Sequence, residues 1–136
     1  MIQGRIIVTM VNIYFLVGCA AVPQASCPVG EKRSVNELVY FGTAKPEGTV
    51  TSKEWSEFLR MSVTPRFPRG FTVWEASGQW QGTDGIVAHE SSYVLSLVHP
   101  NDDRSENAVQ TIATEYKSRF NQETVLRVKS YACVSF

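Results

Sequence analysis

The side chains with the clearest chemical potential stand at the ends of apolar runs. His99 closes Ser92-Tyr93-Val94-Leu95-Ser96-Leu97-Val98-His99, beside Pro100 and just before Asp102 and Asp103. An imidazole leaving a strand next to carboxylates is placed where a general base can be tuned, and equally where it can bond backbone carbonyls or a helix cap. Arg66 and Arg69 lie in Thr64-Pro65-Arg66-Phe67-Pro68-Arg69-Gly70. They can grip a carboxylate or phosphate bidentately, or solvate the loop and pair with local acids. Gln79 and Trp80 end another apolar run, joining a hydrogen-bonding amide to an aromatic wall of the kind that lines ligand pockets. In the alternative arrangement Trp80 packs in the core and Gln79 faces water. The ligand site expected from these residues is a polar edge carrying Arg66, Gln79, Trp80 and His99, held by strand ends and prolines. The segment from Gln81 to Glu90, loosened by its glycines, is the poorer scaffold.

Several chemistries find no footing. His89 and His99 are ten apart and no close His or Cys spacing suits a metal, so neither metal nor cofactor is expected. No phosphate-cradling glycine loop or nucleophile elbow occurs. Thirteen basic and thirteen acidic side chains in 136 residues leave no net field to draw nucleic acid.

The three cysteines carry a different message. Arg5 supplies a basic start, Ile6 to Val17 is mostly apolar, and Leu16-Val17-Gly18-Cys19 follows. The apolar run is shorter than the about 20 residues of a spanning helix and holds Thr9 and Asn12, so it reads as an export signal over 1–18. Its final tetrapeptide resembles the bacterial lipobox, in which the thiol is diacylated before the peptidase cuts in front of it. Palmitate-like chains on Cys19, at about 0.8 kcal/mol per buried methylene, would hold the protein at a membrane. Asp after the modified Cys is the usual inner-membrane retention signal in many Gram-negative bacteria, and Ala20 stands there instead. The address expected is the outer membrane, facing the periplasm. Cys27 and Cys133 remain as a disulfide pair in an oxidising compartment or as two free thiols. A bridge closing about 100 residues contributes up to about 4.7 kcal/mol in the chain-entropy picture.

The elements that must position these groups follow from periodicity. Residues 19–35 are rich in Pro, Ala, Ser and Gly and read as a tether, with a single domain over 36–136. Glu37 to Gly42 predicts a first strand. Thr51 with Glu54 forms a capping box for a helix carrying Trp55, Phe58 and Leu59, which Pro65 stops. Phe71 to Trp80 and Ser92 to His99 predict two strands joined by a long hairpin loop. Val109, Ile112, Ala113, Tyr116 and Phe120 recur at helical spacing behind the caps Asn101 to Asp103. Thr124 to Val134 closes the chain as a strand in which Leu126, Val128, Ala132 and Val134 form the face expected inside, and Arg127, Lys129, Tyr131 and Cys133 the amphipathic one. The order β-α-β-β-α-β predicts an α+β, ferredoxin-like split βαβ sandwich, an antiparallel sheet with two helices on one face. A last strand beside the first brings Cys133 toward Cys27.

Blocks in this order resemble a family of small exported bacterial proteins catalogued as domain of unknown function 3574. The blocks are Tyr40-Phe41-Gly42, Glu54-Trp55 with Phe58, Val63-Thr64-Pro65-Arg66-Phe67-Pro68, Gly78-Gln79-Trp80, Leu97-Val98-His99-Pro100, Tyr116-Lys117 with Arg119-Phe120, and Cys133-Val134-Ser135-Phe136. The resemblance implies an exported α+β domain without an assigned activity, so no family site residues carry over. Two classes of function remain. The preferred one is a binding or accessory module held at the envelope, with homodimerisation through the open sheet face and an unidentified small-molecule ligand. The other is a small cofactor-independent enzyme resembling the dimeric α+β barrel enzymes, with His99, Arg66 or Gln79 as acid, base or orienting groups. Polar groups converging in a water-excluding cavity would favour the enzyme, and scattered ones the module.

Acylation of Cys19 is directly measurable. Radiolabelled palmitate is expected to enter the wild-type protein and to be absent from Cys19→Ser, and equal label in both would remove the anchor.

Overall fold

The computed structural model describes residues 26–81 and 85–135, the side chain of Trp80 apart. Cys19 and the segment before it lie outside the described residues. Among the described residues six strands and two α-helices run in chain order: β1 Lys32–Gly42, β2 Ala44–Lys45, β3 Gly48–Thr49, α1 Ser52–Phe58, β4 Thr72–Gln81, β5 Val87–His99, α2 Asp103–Phe120 and β6 Leu126–Val134. The main sheet has the order β4-β5-β1-β6 with every neighbour antiparallel, while β2 and β3 form a small separate hairpin. Leaving that hairpin aside, this is the split βαβ arrangement of a ferredoxin-like α+β fold.

Both helices start on side chains that occupy orphan amides. Thr51 caps α1 in a full capping box with Glu54. The Lys45 ammonium, and then the Thr51 amide and hydroxyl, hold the Glu54 carboxyl down at about 2. Asp102 caps α2 by accepting from the Ser105 amide at 2.7 Å, a bond that keeps its carboxyl below the usual range. Beyond Phe58 the chain widens into one π turn, Leu59–Val63, which turns Val63 inward and leaves Met61 in solvent. Asn121 ends α2 in the left-handed region at φ 53°.

The helices cover one face of the sheet, where an aromatic core forms. Phe41 of β1 and Tyr93 of β5 meet Trp55, Phe58, Tyr116 and Phe120 from the helices. Trp55 stacks on Tyr93 with ring centroids 4.5 Å apart and planes within 6°. The Tyr116 hydroxyl, carried into this core, donates to the Gly42 carbonyl at 2.8 Å, so the one polar atom of a buried ring is satisfied. Val109, Ile112, Ala113, Tyr116 and Phe120 are the buried stripe of α2, as their spacing requires.

Three sequence expectations are corrected. The first strand begins at Lys32 and not at Glu37, so the last four residues of the expected tether, 32–35, belong to the sheet, paired with both β5 and β6 or with β6 alone. The long loop over 81–90 is mostly strand: Gln81 pairs with Val87 and Gly78 with Glu90, so the connection is confined to 82–86. The faces of β6 are reversed. Leu126 and Val128 lie on the open face, 57% and 45% exposed, while Arg127 points beneath α2 with its side chain 15% exposed. Register dictates this, because Lys129 pairs with Glu37 and Arg127 with Val39, placing both on the helix side. A one-residue slip would exchange the two sets.

Cys27 and Cys133 form a disulfide, with Cα atoms 5.5 Å apart, because β1 and β6 pair as far as Lys32 with Val134. The bridge ties the chain's entry to its last strand. Alkylation and mass analysis of the unreduced protein are expected to find no free thiol at either position. Reduction is expected to lower unfolding stability in urea by about 2–4 kcal/mol; an unchanged midpoint after reduction would contradict that.

Candidate functional site

The main concentration of buried charge is built on β1, where Val35, Glu37, Val39 and Phe41 alternate onto the helix side. Three of the four are apolar, and the fourth is a carboxylate at 0% exposure. A buried charge without partners is prohibitive. Glu37 has two: its Oε1 accepts from Arg127 Nε at 2.6 Å, and its Oε2 lies 3.1 Å from His99 Nε2. Arg127 also reaches Glu106 Oε1 at 3.0 Å and Gln110 Oε1 at 2.9 Å on α2, and Lys129 pairs with Glu106. Burial alone would weaken the Arg127 charge, but the hydrogen bonds to Glu37 and Glu106 outweigh it and raise its pKa. Lys129 and then Arg127 lower that of Glu106.

His99 is 4% exposed, and both its ring nitrogens face oxygen. Nδ1 lies 2.8 Å from the Pro100 carbonyl and Nε2 faces Glu37. A carbonyl only accepts, so Nδ1 carries a proton. Nε2 is then the ring atom turned to the Glu37 carboxyl. The partner of His99 is therefore Glu37, 62 positions away in sequence, and not Asp102 or Asp103 as the local sequence suggested. Asp102 is occupied in capping α2.

The other expected site residues are dispersed. Arg66 makes a bidentate pair with Glu115 of α2, at 2.6 and 3.3 Å, and donates to the Ser62 carbonyl at 2.7 Å, so it ties the π turn to α2. Gln79 is exposed and pairs with His89, ten positions along β5 from His99, or about 33 Å at the strand rise. Trp80 takes its place opposite Ala88. The single polar edge that would unite Arg66, Gln79, Trp80 and His99 is thus not formed: β5 carries His99 and the partner of Gln79 at opposite ends. Sequence reasoning passed over Glu37 and Arg127. The signal was present as a carboxylate in phase with Val35, Val39 and Phe41, but pairing it required the β1–β6 register.

Gln79 instead borders an open cleft of about 360 Å³ with Tyr40, Glu90 and Gln122. Gly42 lies beneath it, where a Cβ would stand 2.5 Å from Glu90 Oε1 and displace that carboxylate, the group that accepts from the Ala44 amide. At the other end of the sheet a second cleft, of about 770 Å³, lies between Lys32, Arg69 and the strand ends. Among the described residues no three His, Cys, Asp or Glu side chains cluster as a metal site would need, and no helix is long and apolar enough to cross a membrane.

Comparison with known proteins adds two facts. The family described as "Protein of unknown function (DUF3574)" matches residues 36–136, and no curated protein matches. Among solved structures, a phage SAM lyase in complex with S-methyl-5'-thioadenosine is similar with TM-score 0.56 at 11% identity, over 76% of this chain and 90% of that one. The apo state of a phage SAM lyase gives 0.56 at 12%, over 83% and 96%. At such identity the likeness is one of fold.

Truncating Glu37 tests the buried cluster. Glu37→Ala leaves Arg127 and His99 inside without their carboxylate and is expected to cost about 3–5 kcal/mol in chemical denaturation, whereas a loss below about 1 kcal/mol, the range of ordinary surface changes, would remove the cluster as a structural centre.

Proposed function

The chain belongs to the DUF3574 family, and from that premise we propose that its domain is a binding or accessory module of the bacterial envelope. In this reading Cys19 anchors it to the outer membrane on the periplasmic side, and the open face of the sheet pairs with a second copy of the chain. The observation that carries the reading is the character of that face. Trp74, Val94, Tyr40 and Leu126 form one cross-strand row over all four strands. Ser96, Leu38 and Val128 continue it in the next, with Val98 beyond.

Trp74, Val98, Leu126 and Val128 are 43–57% exposed, and no charged side chain interrupts these rows. With strands ~4.8 Å apart and ~3.3 Å of rise per residue, the patch covers roughly 300 Å² in projection, within the range of the largest apolar patch on a monomer, which is often functional. A neutral apolar sheet is complementary to its own copy, and two such sheets pack about 10 Å apart face to face. The polar groups, by contrast, are consumed in internal pairs or scattered, which supports a surface that binds over a cavity that reacts.

The second reading is a small cofactor-independent enzyme, favoured by the fold shared with a SAM lyase. It is separated by incubating the full chain with SAM and following S-methyl-5'-thioadenosine: product above the uncatalysed control would establish the enzyme, and none would leave the module.

For the module, sedimentation equilibrium of the full chain in density-matched neutral detergent is expected to return a dimer. Trp74→Glu is expected to return a folded monomer with the far-UV circular dichroism of the wild type and an unfolding midpoint that no longer depends on concentration. A wild-type protein that is monomeric at every concentration would refute pairing through this face.

A further inference from the structure

We infer that the cleft beside Lys32 and Arg69 is a binding site for the phosphate headgroup of an anionic amphiphile. Lys32 begins β1 and Arg69 precedes β4, at the two sides of one cleft of about 770 Å³. Both cations are exposed, and neither has an ion-pair partner among the described residues. No Asp or Glu lines the cleft, although the chain as a whole holds as many acids as bases. Ser34 and Thr72 add hydroxyls, while Phe71, outside the apolar rows of the open face, supplies apolar wall. Two cations with hydroxyl donors suit a phosphate, and the apolar wall beside them suits the hydrocarbon attached to it. His99 borders the cleft, but its nitrogens are taken by Glu37 and Pro100, so the charge comes from Lys32 and Arg69.

The position of the cleft favours a lipid as the source of that phosphate. Gly30 lines it, three residues after the Cys27 bridge to β6, so the chain enters the domain at the cleft. From Cys27 back to Cys19 is a step of eight residues, at most about 29 Å when extended. The lipid source therefore rests on the anchored reading of Cys19, whereas the anion site itself does not.

The test uses the full chain in neutral detergent, titrated calorimetrically with short-chain phosphatidylglycerol, phosphatidylcholine of equal chain length, and inorganic phosphate. Phosphatidylglycerol is expected to bind saturably and more tightly than the other two. Lys32→Gln with Arg69→Gln is expected to weaken it about ten-fold or more, since both charge-assisted contacts are lost. Lys53→Gln with Arg60→Gln removes the same charge from elsewhere and is expected to leave binding unchanged. Equal binding of the two lipids, an unaffected Lys32/Arg69 double variant, or equal weakening by the control pair would each overturn the site. Inorganic phosphate binding as tightly as phosphatidylglycerol, still through Lys32 and Arg69, would uphold the anion site and overturn the lipid source. The palmitate label on Cys19 reports on the anchor separately, so a failed anchor and a failed cleft give different results.

Discussion

The structure turns on one buried carboxylate. Glu37 sits in the middle of β1 at zero exposure, and its two oxygens are met by Arg127 from β6 and His99 from β5. Three strands are therefore joined through one side chain, and Arg127 extends the connection to Glu106 and Gln110 on α2. Such a cluster is a poor source of net stability, because desolvation cancels most of its attraction. Its effect is on alternatives: a slip of β6 by one residue would withdraw Arg127 from Glu37 and leave a charge buried without a partner. The aromatic core around Phe41, Trp55 and Tyr116 supplies burial, and the carboxylate restricts that burial to one pairing of strands.

The same constraint decides what each side of the sheet can do. Arg127 of β6 is drawn under the helix layer to meet Glu37, with Lys129 on the same side reaching Glu106, so the apolar residues of that strand must emerge on the opposite side. There Leu126 and Val128 join Trp74 and Val98, giving a neutral surface next to an interior that is partly ionic. The usual arrangement of an antiparallel sheet, apolar inside and polar outside, is locally inverted at this edge. An open apolar face is thus the geometric consequence of a buried charge. At the ends of the sheet, where strand pairing stops, the two clefts differ in character: amides and a carboxylate around Gln79 and Glu90, cations and hydroxyls around Lys32 and Arg69.

The likeness to the SAM lyase structures is one of architecture. A split βαβ sandwich requires only a register of apolar residues, two amphipathic helices and suitable turns, all of which survive at very low identity. Polar side chains on such a frame are far less constrained by folding, so function has to be argued from where this chain puts its own.

Local pattern determined the elements. The capping box Thr51 and Glu54, the helical spacing from Val109 to Phe120, the stop at Pro65 and the β-branched and aromatic runs are interactions among near neighbours, and each is legible in the chain itself. Their order limited the topology, and the topology brought Cys27 to Cys133. What only the tertiary structure decided was every pairing across long separations: Glu37 with Arg127 and His99, Arg66 with Glu115, the inward face of β6, and the separation of Gln79 from His99. The physical reason is that alternation identifies two faces of a strand without saying which is covered. On β6 both faces carried apolar atoms, and a partner 90 residues away made the choice.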